Sequence, residues 1–150
     1  MRRSTRKSFI NSLKKYIFSA NNPLADASFD EKRPQMLSNY WKAIVELLVD
    51  SDSSKSSVIF KTNGVDLFDI SSATVFLYLA NRRDLTKNTI REVLKRGFAN
   101  LSGENIGMSS PEWWQRGNKA SDLNSAGVRK LANALSLAIN VQDGVGEIAL

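Results

Sequence analysis

The sequence predicts an all-α fold, a compact bundle of about five helices with at most one short strand or hairpin near residues 58–60. Three observations carry this expectation. Apolar residues recur at helical spacing along most of the chain, several such segments open on a capping residue or a proline, and the β-prone run Val58-Ile59-Phe60 is very short. A chain of 150 residues with 42% hydrophobic content can bury one real core.

Residues 1–20 form the first expected element, a basic amphipathic helix with Phe9, Ile10, Leu13, Tyr16 and Ile17 at helical spacing. Asn21-Asn22-Pro23 ends it, and residues 21–141 are expected to make a single helical domain. Its first helix opens at Pro34, a residue suited to a first turn, and runs to about Val49 with Leu37, Trp41, Ile44, Val45 and Leu48 on one face. The Asp- and Ser-rich stretch from Asp50 to Ser57 reads as a flexible loop. Gly64 is a natural position for a positive φ before a helix from about Val65 to Ala80, whose inward side would carry Val65, Phe68, Val75, Phe76 and Leu79.

Asn81-Arg82-Arg83-Asp84 turns the chain, and Thr86 can cap a helix carrying Ile90, Val93, Leu94 and Phe98. Leu101 to Ser109 is loop-like. Ser110-Pro111-Glu112 has the order of a helix start and leads into Trp113 and Trp114. Ser125 can cap a last helix with Val128, Leu131, Leu135 and Ala138 in one stripe, and residues 142–150 read as a frayed tail.

Composition removes whole classes of chemistry. With no cysteine and no histidine, disulfides, thiolate nucleophiles, Ser-His-Asp triads and ordinary zinc sites cannot be built. The missing cysteines fit a reducing, cytoplasmic setting. An Arg/Ser-rich, acid-free start has the look of a transit peptide, whereas Lys14-Lys15 interrupts the uncharged core that a secretory signal needs. The apolar runs Ala43 to Val49 and Ala73 to Ala80 are too short for a membrane span.

The net charge of +6 is concentrated in the N-terminal arm. Arg2, Arg3, Arg6, Lys7, Lys14 and Lys15 face no acid within the first 15 residues, and the remainder balances at 15 basic against 15 acidic residues. An amphipathic basic arm can rest on its own domain, on a membrane surface or on DNA.

Phe60-Lys61-Thr62-Asn63-Gly64 leading into an apolar helix, Trp114 followed by Gly117, and Asn124-Ser125-Ala126-Gly127 before Arg129, Leu131 and Leu135 carry a family likeness. Over roughly Val58 to Ile139 the chain resembles the C-terminal helical region of DGQHR-domain (DndB-like) proteins. The resemblance implies a bacterial DNA-modification or mobile-element context. It does not extend to the Asp-Gly-Gln-His-Arg motif, which a histidine-free chain must lack, nor to the ParB-like α/β portion that bears it. DNA-dependent regulation and nucleotide handling through that portion therefore do not carry over.

Several candidate sites follow from the residues. Lys61, Thr62 and Asn63 before one helix, with Lys119, Ser121, Asn124, Ser125, Gly127 and Arg129 around another, can present cations, hydroxyls and helix N-termini to phosphate. The same residues also serve as caps, turns and solvated charges, with Asn63 and Ser125 as the caps. No Gly-x-x-x-x-Gly-Lys-Ser/Thr pattern occurs, so ATP binding has no support. Trp41, Trp113 and Trp114 can stack on bases, although at least two are expected to be largely buried.

Leu79-Ala80, Leu85, Ile90 and Val93 approach helix-turn-helix spacing, which would offer Thr86, Lys87, Asn88, Arg91 and Lys95 to DNA, or the helices simply pack together. Asp66 and Asp69 stand one helical turn apart, where the helix dipole accounts for acids without a metal, and no third ligand is evident. The expected function is a non-enzymatic binding module, with no cofactor or metal. Its expected partner is DNA through backbone phosphates, the alternative being a protein partner or a second copy in a homodimer.

Overall fold

The computed structural model describes residues 3–19, 22–50, 57–80 and 82–141. Five α-helices make up the bundle, α1 (Arg3–Ser12), α2 (Arg33–Leu48), α3 (Thr62–Tyr78), α4 (Lys87–Ala99) and α5 (Ser125–Val141), and no strand occurs among the described residues. The β-prone run Val58-Ile59-Phe60 is not a strand. Its neighbour Ser57 makes an isolated antiparallel bridge with Gln115, and the Val58 amide donates to the Trp114 carbonyl over 2.7 Å. Most of the expected loop after Asp50, Arg2, and the tail 142–150 lie outside the described residues.

The arm is shorter than expected as an α-helix. It widens after Ser12 into a π-helical turn, Leu13–Ile17, and residues 18 and 19 lead away from it. Ile17 is fully buried and the Phe9 ring meets Trp41 edge-on at 5.2 Å, so these two hold the arm on its own domain, whereas Ile10 of the expected apolar face is exposed. Asn22 closes the junction. Its Nδ2 donates to the Tyr16 carbonyl at 3.1 Å and to Ser72 Oγ at 3.0 Å, while its Oδ1 accepts from the Leu24 amide at 3.0 Å.

The inward face of α2 is rotated from the expected stripe. Met36, Tyr40, Ala43, Ile44 and Leu48 are buried, whereas Leu37, Trp41 and Val45 are only partly so. The central helix is α3, which packs against α1, α5 and the turns between α1 and α2. Its expected residues are all buried, and so are Leu67, Asp69, Ser71 and Ser72, because the helix is enclosed on most sides and only a narrow stripe through Asp66, Ile70, Thr74 and Leu77 faces outward. Ser71 and Ser72 satisfy their hydroxyls on the Leu67 and Asp69 carbonyls.

Gly64 keeps a negative φ, contrary to the expectation of a positive one. The reason for a glycine is distance: a Cβ there would sit 2.1 Å from the Ile59 carbonyl oxygen. The helix therefore begins earlier than its apolar pattern suggested.

Helix α4 opens as expected on Thr86, whose Oγ1 accepts from the Thr89 amide at 3.5 Å and donates to Asp84 Oδ1 at 2.7 Å. The Thr86 and Thr89 side chains hold Asp84 below the usual carboxylate range. Thr86→Ala is expected to cost about 1 kcal/mol in urea unfolding, with little change in the slope. Ile90, Val93, Leu94 and Phe98 of α4, and Val128, Leu131, Leu135 and Ala138 of α5, are all buried as their spacing indicated. Between these helices the chain forms short 3-10 turns, Gly103–Ser109, Pro111–Trp114 and Lys119–Asp122.

Trp114 is the anchor of this region. It is fully buried, its indole N–H donates to the Met108 carbonyl at 2.9 Å, and its ring lies 5.5 Å from Phe68. Of the other tryptophans, Trp41 and Trp113 are partly buried.

Candidate functional site

The two polar segments singled out in the sequence meet in space. Asn63, in the first turn of α3, donates through Nδ2 to the Leu123 carbonyl at 2.8 Å and to the Ala120 carbonyl at 3.4 Å. It is a tether rather than the cap it was expected to be. Likewise the cap of α5 is Asn124, one residue before Ser125, with Oδ1 accepting from the Gly127 amide at 2.8 Å. That amide is therefore committed within the protein.

Three clefts adjoin around the tether. Lys61, Thr62 and Asn63 line the first together with Val58 and Ala120. Trp113 and Lys119 line the second with Ser110, Glu112 and Asn118, and the same pair lines the third with Asn105, Gly127 and Lys130. Their volumes, about 290, 310 and 200 Å³, are small for enclosed drug-sized ligands and suit shallow contact with an extended chain. Lys119 and Ala120 are neighbours in the chain, so the three clefts lie side by side, and two of them share the Trp113 ring and Lys119.

This arrangement brings together Lys61, Thr62, Asn63, Lys119 and Gly127, but not all the expected residues. Arg129 and Ser125 are exposed on α5 yet line none of these clefts, and the side chain of Ser121 lies outside the described part. Lys130 was missed. The spacing of Gly127, Lys130 and Leu131, three and four residues apart, is the signal that would have found it. Trp113 is positioned by an edge-on contact with Trp114 at 4.9 Å and by Gly107, where a Cβ would come within 2.8 Å of the Trp113 ring.

The basic residues proposed on α4 are mostly neutralised. Lys87 pairs with Glu46 at 2.7 Å, and Arg91 lies 3.7 Å from Glu46 and 3.4 Å from Glu92. Helix α4 packs chiefly on α2 and α5 and only slightly on α3, so the spacing that would suit a helix-turn-helix does not give a closely packed pair of α3 and α4. Lys95 remains exposed. In the arm, Lys7, Lys14 and Lys15 are exposed, whereas the side chains of Arg3 and Arg6 lie outside the described part.

The acid pair also departs from expectation. Asp69 is not a solvated acid at a helix start but is fully buried, with no hydrogen-bond partner for either carboxylate oxygen among the described residues. Burial raises its pKa from 3.8 to about 7; Ser12 and Trp41 face it and oppose the rise, and Asp66 adds to it. Neither Ser12 nor Trp41 reaches formed hydrogen-bond geometry, and Ser12 Oγ is itself unpartnered. On the other side Tyr40 donates its hydroxyl proton to the Phe68 carbonyl, and burial followed by the charge of Asp69 raises its pKa well above the ordinary tyrosine range.

No cluster of three or more acidic side chains able to hold a metal occurs among the described residues, and no helix there is long and apolar enough to cross a membrane. Comparison of the chain with known protein families, with curated proteins and with solved structures gives no match.

Proposed function

We propose that this chain is a small helical binding module for nucleic acid, acting without catalysis. The observation that carries the reading is the sharing of adjoining clefts by Trp113 and Lys119. A base can lie against the indole while Lys119, Lys61 and Lys130 meet successive backbone phosphates, and the exposed Lys7, Lys14 and Lys15 add charge from the arm. Two of the asparagines around the clefts are spent on backbone groups, Asn63 on Leu123 and Asn118 on the Glu112 carbonyl at 2.7 Å, which favours holding a chain over reading its sequence. The bacterial, cytoplasmic DNA-modification or mobile-element setting implied by the DGQHR-domain resemblance belongs to the same reading.

The test is fluorescence anisotropy of a labelled single-stranded DNA at several salt concentrations. Lys119→Ala should weaken binding and reduce the salt slope by about one, whereas Trp113→Ala should lose roughly 1–3 kcal/mol with the slope unchanged. Unaltered binding in both variants would rule out this face.

A second reading, self-association, is favoured by Leu77 on α3 and Leu137 on α5, each 68% exposed although these helices pack together. It shifts from the arm, where Ile17 is buried and Phe9 is held by Trp41. Sedimentation velocity over a dilution series, repeated with Leu137→Lys, separates a dimer from a monomer.

A further inference from the structure

A fourth cavity lies apart from the clefts around Lys119. It is the most enclosed and the most apolar of the four, with a volume of about 380 Å³, within the ordinary range for small-molecule sites. Pro23 and Phe29 come from the turns that follow the arm, Met36 from the first turns of α2, Phe76 and Leu79 from the end of α3, and Leu85 from the segment leading to α4.

The walls are held from outside the cavity. Arg33 donates to the Leu24 and Asp26 carbonyls and pairs with Asp30 at 2.9 Å, fixing the turns, and Asn39 Nδ2 donates to the Leu85 carbonyl at 3.0 Å. Such tethering leaves a preformed apolar space instead of a collapsible one.

Among the described residues, every charged side chain lining this cavity is a cation: Lys32, Arg82 and Arg83. The guanidinium of Arg82 is steadied over the Tyr78 ring at 4.7 Å. Lys32 and Arg83 are exposed and make no ion pair with another described residue. The neighbouring acid Asp84 keeps its negative charge, held by the Thr86 amide at 3.1 Å and hydroxyl at 2.7 Å, and does not itself line the cavity. The N-terminus of α2 and the C-terminus of α3 both lie here, and their opposed dipoles offset each other, so these side chains set the sign of the field.

We propose that this cavity binds a small anionic amphiphile, a medium-chain fatty acid, with its alkyl chain between Met36, Phe76 and Leu79 and its carboxylate against Lys32, Arg82 and Arg83. The apolar lining takes the chain by burial, and the cations choose the head group. A short acid of this size should bind with a Kd on the order of 0.1–1 mM.

The experiment is methyl NMR on methionine-labelled protein titrated with octanoate, octanol and octyltrimethylammonium. Octanoate should shift the Met36 methyl saturably and leave that of Met108 in place. Lys32→Ala combined with Arg83→Ala, both surface changes, should weaken octanoate roughly three- to tenfold and leave octanol unchanged. The assignment is overturned if octanoate leaves Met36 unmoved at millimolar concentration, if the cationic probe binds as well, or if the double variant binds octanoate like the parent.

Discussion

Replacing Asp69 with asparagine is expected to stabilise the fold above pH 7 and to flatten its stability between about pH 4 and 7. The sign follows from where the proton resides. In the unfolded chain Asp69 ionises as pH rises through 3.8, whereas in the folded protein burial delays ionisation to about 7. Between those values the folded state holds the extra proton, so stability falls as pH rises, and the loss is complete above about 7. Moving the ionisation from 3.8 to about 7 corresponds to roughly 4 kcal/mol, an upper bound for the gain from Asp69→Asn because the amide is also buried. Urea unfolding at pH 5 and pH 8 measures it. Parallel pH profiles for parent and variant would show that the carboxyl finds a partner or solvent.

Gly64→Ala is expected to destabilise the protein by about 3 kcal/mol or more. Its Cβ would meet the Ile59 oxygen at 2.1 Å, the carbonyl carbon at 2.7 Å and Cα at 2.8 Å, all backbone atoms that no rotamer can move aside. Relief requires lifting the start of α3 from the Ile59 segment, which strains the Val58 to Trp114 hydrogen bond and the Asn63 tether. Gly117→Ala makes the informative comparison. Gly117 has φ of +85° but open space around it, so its substitution should cost only about 1 kcal/mol by thermal unfolding. Equal losses at the two positions would mean that close packing is not what Gly64 provides.

These two residues also show what could and could not be read from the amino acids. Helices α4 and α5 were readable because each has one wet face and one dry face, and the spacing of Ile90, Val93, Leu94 and Phe98 records that division directly. Helix α3 places apolar Ile70 and Leu77 on its more exposed stripe and buries Asp69, Ser71 and Ser72, so nothing in its pattern marks Asp69 as buried or extends the helix back to Thr62. The reason for Gly64 lies in a contact with Ile59, and a backbone approach of that kind leaves no trace in side-chain periodicity. At the clefts, the meeting of the segments around Lys61 and Lys119 was anticipated as a possibility, but the tether that joins them was hidden in Asn63, whose local role looked like capping. The cavity beneath Lys32 and Arg83 draws on elements distant in sequence and had no local signal.

The position of α3 between α1 and α5 sets an order for assembly during synthesis. As the chain leaves the ribosome, α3 emerges with only α1, α2 and the turns between them to cover it, while the helix that packs most extensively against it is still to be made. Its apolar surface, Val75 and Phe76 included, then waits for some sixty further residues, the interval in which a nascent chain is most exposed to aggregation or to chaperone capture. A stop codon before Ser125 would make that interval permanent.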